Sequence, residues 1–415
     1  MKRKLDVYLH RHLVGNLVQD EHGQITFDYA ETWLKDPAAI ALSHSLPLTK
    51  KHFNRNECRG FFAGILPEES KREIIAKNLG ISARNDYTML ERIGGECAGA
   101  VTFLPAGTEL PGREDNYRAL TDKELAEILK ALPRRPLMAG DEGVRLSLAG
   151  AQDKIAVHVS GNKISIPLGG APSTHILKPA IERFEGVVFN EAFCMKLARA
   201  IGMDAAHAET GQVEGIDYVL VERYDRTTSL GASRATQTLK REHQEDFCQA
   251  LSIVPENKYQ AEGGPSLKQC FALVRDASSA PVIDLQGLLD AVIFNFLIGN
   301  HDAHGKNFSF LYTGGQTRLA PLYDLLSTSY YPELSPKMAM KIGGEYLSAK
   351  VAVKHFETLA EEAGLAKPMV RRRVSELAEL ILSKMPTVTI DLPVALAVAK
   401  LIQGNCDRTI KKFKE

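Results

Sequence analysis

The stretch Gly299-Asn300-His301-Asp302-Ala303-His304-Gly305-Lys306-Asn307-Phe308-Ser309-Phe310, followed by Leu322-Tyr323-Asp324-Leu325, decides how the chain is read. Asp302 and Asn307 enclose four residues, the D-x-x-x-x-N spacing of loops that carry out phosphoryl transfer. Asp324 follows after a short strand-like run and a Gly-Gly turn. Phosphoryl transfer needs one carboxylate to take the proton of the attacking hydroxyl. It also needs an amide oxygen and a second carboxylate to hold Mg²⁺ on the phosphates. Pairing residues 308–311 with 319–322 as a hairpin brings Asp324 back beside Asn307. Two other readings compete. Asp and Asn commonly cap turns, and His301 with His304 can share a helical face as zinc ligands, although no third His or Cys stands at useful spacing.

Composition frames that reading. At 415 residues the chain is long enough for two or three domains with sizeable cores. Its 51 Lys+Arg balance 51 Asp+Glu, so nothing marks the whole chain as a polyanion binder. The basic start Met1-Lys2-Arg3-Lys4 runs into strand-like residues rather than an apolar signal core, and no apolar run is expected to reach membrane-spanning length. The six scattered cysteines lack any C-x-x-C pair and read as reduced thiols of a cytoplasmic protein.

Residues 5–17 and 24–29 read as strands around the turn Asp20-Glu21-His22-Gly23, and Pro67 suits the first turn of a helix through 72–78. The Gly/Pro-containing stretch 105–116 suggests a boundary, and 120–132 has helical apolar spacing. A hairpin over 154–160 and 163–167, a strand over 174–178, a helix over 190–201 and a strand over 217–222 follow in order. After a polar connector at 227–240 the chain becomes largely helical, with strand-like exceptions at 307–312 and 318–321.

Three further segments carry chemistry. Ser147-Leu148-Ala149-Gly150-Ala151-Gln152-Asp153-Lys154 is a small-residue turn before a strand, where backbone N–H groups can approach phosphate oxygens; a tight turn opening a hairpin explains the same residues. Lys178 ends an apolar strand ahead of a helix carrying Glu191, the order of a phosphate-contacting Lys and its orienting Glu; a solvated edge lysine is the plain alternative. Val219 to Tyr224 has the texture of a hinge whose backbone bonds an adenine edge, or of an ordinary interior strand with a charged end.

In this order the motifs resemble the HipA family, the serine/threonine protein kinase toxins of bacterial type II toxin–antitoxin pairs. The resemblance covers nearly the whole chain. It begins at Phe27-Asp28-Tyr29, Ser45-Leu46-Pro47-Leu48 and Phe61-Phe62-Ala63-Gly64-Ile65-Leu66-Pro67-Glu68, and continues through Gly94-Gly95-Glu96-Cys97-Ala98-Gly99-Ala100-Val101. It runs on through the 147–154 loop, His243-Gln244-Glu245-Asp246-Phe247-Cys248-Gln249, the 301–307 segment and Tyr323-Asp324.

The resemblance implies an α+β, two-lobed protein-kinase-like fold with a mixed α/β N-lobe and a mainly helical C-lobe. The expected division is an N-terminal coupling subdomain over 1–106, an N-lobe over 107–236 and a C-lobe over 237–415. It implies ATP and Mg²⁺ as cofactors, Asp302 as catalytic base, and Asn307 with Asp324 as metal ligands. ATP is expected at Ala149, Gly150, Ala151, Gln152, Asp153, Lys154, Lys178, Glu222, Arg223, Tyr224, His304, Gly305, Lys306, Asn307, Tyr323 and Asp324. Ser147 matches the serine that family members autophosphorylate, and phosphate there is expected to repel the ATP phosphates and switch the enzyme off. Asp153 stands where some relatives have Glu. The implied partners are a HipB-like helix-turn-helix antitoxin and a protein substrate of the aminoacyl-tRNA synthetase class, notably glutamyl-tRNA synthetase. DNA contact comes mainly through the antitoxin, and no membrane is involved. The competing readings are a small-molecule kinase of the aminoglycoside-phosphotransferase type and a non-catalytic co-repressor.

Overall fold

Alternating burial shapes the first strands. β1 (Arg3–Leu9) buries Leu5, Val7 and Leu9, and its neighbours β2 (His12–Gln19) and β3 (Ile25–Tyr29) bury Val14, Leu17, Phe27 and Tyr29 on the same core. The computed structural model describes residues 2–110, 116–230, 237–388 and 392–414. Residues 5–17, expected as one strand, form two: His10 adopts φ 56° and the chain reverses so that Leu9 pairs with His12. After α1 (Glu31–Leu34) and β4 (His52–Phe53) comes α2 (Arg55–Gly64), opened by a capping box between Asn54 and Glu57. α2 buries Phe61 and Phe62, each contributing roughly 2 kcal/mol of apolar burial. α3 (Glu69–Leu79) starts after the cap residue Glu68, so Pro67 lies just outside the helix rather than in its first turn. α4 (Asp86–Ile93) and β5 (Val101–Pro105) complete this unit, whose antiparallel sheet runs β4-β3-β2-β1-β5.

A second antiparallel sheet follows. β6 (Tyr117–Ala119), α5 (Asp122–Ala131), β7 (Ile155–Ser160), β8 (Lys163–Pro167), β9 (His175–Pro179), α6 (Val187–Ala200), β10 (Ala208–Val213) and β11 (Ile216–Glu222) give the sheet order β10-β11-β9-β7-β8-β6. The polar connector at 227–240 is itself a hairpin, β12 (Arg226–Leu230) with β13 (Gln237–Arg241). The expected division after residue 236 falls within 231–236, outside the described residues. Buried side chains of the first unit and of the second sheet form one continuous apolar cluster, from Leu5 through Phe103 to Leu148, Ile155 and Leu177.

β14 (His243–Asp246) and α7 (Phe247–Ala250) lead into the helical half: α8 (Leu267–Ala277), α9 (Pro281–Ile298), α10 (Val353–Ala363), α11 (Lys367–Lys384) and α12 (Pro393–Lys414). Between α9 and α10, β15 (Ser309–Thr313) and β16 (Gln316–Leu319) extend β14 into a three-stranded sheet. A second apolar cluster, from Val187 on α6 to Phe413 on α12, fills this half. α9 corrects one expectation: with 18 residues and mean hydropathy 1.6 it is long and apolar enough to span a membrane. Here 61% of it is buried, and it serves as the central core helix. All six cysteines are buried free thiols.

Candidate active site

α9 delivers the 300–307 segment by stopping abruptly. Gly299 closes it in the left-handed region that favours glycine (φ 72°), and a Cβ there would lie 2.0 Å from Ser329 Oγ, which would have to shift. Asn300 then organises the turn. Its side-chain amide donates to Asn295 Oδ1 at 2.8 Å, and its Oδ1 accepts from the Asp302 N–H at 3.2 Å. The Asp302 carbonyl accepts from the His304 N–H at 2.8 Å, and a single helical turn, Gly305–Asn307, leads into β15.

The β15–β16 hairpin returns the chain to this loop. The observed register pairs Phe310 with Leu319 and Leu311 with Arg318, one residue away from the expected pairing of 308–311 with 319–322. Asp324 nevertheless arrives beside Asn307. Asn307 Nδ2 donates to Asp324 Oδ2 at 2.9 Å, and Asn307 Oδ1 accepts from the His304 N–H at 3.1 Å. Asp324 itself holds φ 58°, a strained conformation for a non-glycine residue and one common at functional sites.

From the opposite wall β9 contributes Lys178, paired in register with Val219 of β11. Its ammonium donates to Glu191 Oε1 of α6 and to Asp324 Oδ1, both at 2.7 Å. Burial opposes charge at all three groups, but Lys178 holds the Asp324 carboxyl well below the usual carboxylate range, while the two carboxylates keep Lys178 protonated. Asp302 differs. It is an exposed residue on the cavity wall, yet burial of its carboxyl by the surrounding protein pushes it up to about 6, against a hydrogen bond from Tyr259 OH at 2.9 Å. A carboxyl with that value is suited to accept a proton near neutral pH.

The loop before β7 forms the roof. Gly150 holds φ 104°, with Lys154 Nζ 2.5 Å from where its Cβ would sit, and Lys154 Nζ donates to Ala149 O at 2.9 Å. Burial, with Lys178 nearby, lowers the Lys154 ammonium to about 8. Asp153 pairs with Lys71 at 2.6 Å, and Gln152 Nε2 is buried without a hydrogen-bond partner. At the far end Tyr224 stacks on Tyr323, centroids 5.7 Å apart, and Tyr323 OH donates to Lys306 O at 2.6 Å.

These groups line one cavity of about 610 Å³. Of the residues expected to hold ATP, all but Gly305 reach its wall. Gly305 instead lies against Pro265 and Cys248, where a Cβ would be 2.4 Å from Pro265 Cγ. Arg223 borders the cavity, but its guanidinium turns into a buried network with Asp225 (2.8 Å), Ser173 (3.0 Å) and Glu96 (3.3 Å). Ser147 lies behind the loop, fully buried, donating to Ile65 O at 3.0 Å. Nothing supports the zinc reading: His301 bonds Ser348 Oγ at 2.9 Å, and no cluster of three metal-ligating His, Cys, Asp or Glu occurs among the described residues.

Several lining residues were not among those expected at the site. Glu68, Glu69 and Lys71 come from the N-terminal unit, Asp246 from β14 and Lys258 from the loop after α7. Lys306 Nζ pairs with Asp246 at 2.7 Å and faces Glu68 at 3.6 Å, while Lys258 meets Glu68 at 2.9 Å. Burial would raise the Glu68 carboxyl, but Lys306 and Lys258 overrule it and hold it down at about 2. The donor set suits Mg²⁺, which takes one or two carboxylates plus substrate phosphates. Asp324, held anionic by Lys178, and Asn307 Oδ1, which keeps a second lone pair, are the oxygens that would hold such an ion.

Comparison with known proteins defines the class first. The solved complex of HipA, HipB and operator DNA from Shewanella oneidensis superposes with TM-score 0.87 at 26% identity, covering 99% of this chain and 98% of that one. The protein therefore has an α+β, two-lobed kinase-like fold. The HipA-like C-terminal domain matches residues 146–385 and the HipA N-terminal domain residues 5–104, so the chain belongs to the HipA family. It is 48% identical to Y4mE of Sinorhizobium fredii, named as a candidate kinase, over 91% of this chain and 90% of that protein. It is 28% identical to the serine/threonine-protein kinase toxin HipA of Shewanella oneidensis, over 94% and 90% respectively.

Proposed function

We propose that the protein is an ATP- and Mg²⁺-dependent serine/threonine protein kinase and the toxin of a type II toxin–antitoxin pair acting in the cytoplasm. The observation that carries this reading is the convergence of Asp302, Asn307, Asp324 and the Lys178–Glu191 pair on one cavity roofed by the 149–154 loop. Asp302 takes the proton of the acceptor hydroxyl as its oxygen bonds to the γ-phosphorus; the bond from that phosphorus to the β-phosphate oxygen breaks and ADP leaves. Asp324 and Asn307 would hold the Mg²⁺, which would neutralise charge on the phosphates. Lys178 and Lys154 offer cations to the phosphates, the 222–224 segment takes the adenine edge, and the Tyr224–Tyr323 stack flanks that end of the cavity.

The Shewanella protein is solved together with HipB and operator DNA, which supports a HipB-like helix-turn-helix partner here, with DNA reached mainly through it. An aminoacyl-tRNA synthetase, glutamyl-tRNA synthetase first, is the proposed substrate, with growth arrest and persistence as the outcome. Autophosphorylation at Ser147 is the proposed off-switch. The buried hydroxyl has to leave Ile65 O to be modified, and a phosphate of about −1.5 to −2 charges does not fit back into that pocket. Incubating purified protein, Mg-ATP and glutamyl-tRNA synthetase, then mapping phosphosites, tests the reading. Phosphate on the synthetase and on Ser147 is expected; none on either with active, folded protein contradicts both assignments.

A further inference from the structure

The loop between α7 and α8 connects the N-terminal unit to Asp302. Lys258, 6% exposed, pairs with Glu68 at 2.9 Å and with Glu69 at 3.0 Å. The next residue, Tyr259, donates its phenol to Asp302 Oδ1 at 2.9 Å. A second grip holds the same loop, since Arg59 of α2 pairs with Glu256. The loop closes on itself through Gly264 N–H to Tyr259 O at 2.8 Å, and Lys258 Nζ lies 5.4 Å from the centre of the Tyr259 ring. The first hundred residues thus hold, by charge, the loop that touches the carboxylate proposed to accept the substrate proton.

We propose that Glu68, Lys258 and Tyr259 form a positioning relay, through which the N-terminal unit fixes the orientation of the Asp302 carboxylate. The inference rests on the reading of Asp302 as the general base. A free carboxylate rotates about its last torsion. A phenol fixed to Oδ1 removes that freedom and leaves Oδ2 to meet the acceptor hydroxyl, which is how orientation lowers a proton-transfer barrier. Burial and the neighbouring Asp302 push the Tyr259 phenol well up, so it remains a donor. The other charged groups facing Asp302 are Asp324, Lys258 and Glu69, and none of the hydrogen bonds found at Asp302 Oδ1 comes from them. Glu68 lies 190 residues from Lys258, so the relay exists only when the two halves of the molecule are docked.

The test uses the full chain carrying 3-fluorotyrosine at position 259, read by ¹⁹F resonance without nucleotide or substrate. The resonance of the Asp302→Asn protein marks the phenol without its carboxylate. The relay predicts that Glu68→Gln moves the resonance toward that position. It also predicts that Tyr259→Phe, which removes only the hydroxyl and keeps the ring, lowers kcat about tenfold with the KM for ATP unchanged. A Glu68→Gln resonance that coincides with the parent's overturns the relay, and so does Tyr259→Phe turnover at the parent rate. If the Glu68→Gln protein does not fold, Lys258→Met takes its place with the same expected shift and the same overturning result. A resonance that responds while the parent protein transfers no phosphate overturns the kinase reading instead.

Discussion

Asn307 Nδ2 stands 2.9 Å from Asp324 Oδ2, although the two are 17 positions apart in the chain with a complete hairpin between them. The contact places an amide and a carboxylate at one point, with Lys178 on the other carboxylate oxygen at 2.7 Å. Asp324 remains anionic because that lysine outweighs the cost of its burial. In the proposed reading Asp324 and Asn307 would hold a divalent ion that offsets phosphate charge, with the Lys178 ammonium beside it.

Asp324→Asn is therefore expected to lower phosphoryl transfer by about 10²–10³-fold, the scale of removing a preorganised charge partner, while the fold is kept. Radiolabel transfer from ATP alongside circular dichroism checks it. Unreduced transfer removes Asp324 from the mechanism.

The Asp302 carboxyl, pushed up to about 6, gives the pH dependence its sign. A base works only when deprotonated, so kcat/KM falls as pH drops through about 6 and is flat above it until another group titrates. A profile measured with a fixed peptide substrate shows this limb, and its absence between pH 5 and 7 counts against Asp302 as base.

Gly150→Ala adds a Cβ at φ 104°, pointed at Lys154 Nζ. The strained loop is expected to raise the KM for ATP about tenfold, the effect of a cost near 1.4 kcal/mol on binding. Titration with a fluorescent nucleotide reads it directly, and unchanged affinity would show that the loop does not approach the phosphates.

The ion network under the hinge makes a stability prediction. Glu96 accepts from Arg226 at 2.8 Å and from Arg223 at 3.3 Å, with Arg241 also paired to it, all in the interior. Burial would raise its carboxyl, but the arginines hold it at about 2. Its stabilisation is complete above its ordinary value near 4.3 and fades as pH falls from there toward about 2. Glu96→Gln leaves the arginines buried without their anion and is expected to cost about 3–5 kcal/mol at neutral pH. Urea unfolding at pH 7 and at pH 3 checks both statements, since the gap between parent and variant must narrow at the lower pH.

The local part of the site was legible because its signal is local. Asp302, Asn307 and Asp324 lie on one loop and one hairpin, and strand pairing brings their ends together even when the register is misjudged by a residue. Lys178 and Glu191 were legible as consecutive strand and helix, and they meet at 2.7 Å. The contributions of Glu68, Lys258 and Tyr259 were not, because they depend on how the N-terminal unit docks, which no spacing encodes. For the same reason the sequence did not show that the Arg223 guanidinium, on a residue that does border the cavity, serves the Glu96 network, and it left the β12–β13 hairpin as a bare connector.

Mass spectrometry of the purified chain after incubation with Mg-ATP, run in parallel on Asp302→Asn, addresses the central claim directly. The account predicts phosphate on the parent protein and none on the variant, with both folded. Phosphate appearing equally on both, or on neither while ATP is bound, contradicts it.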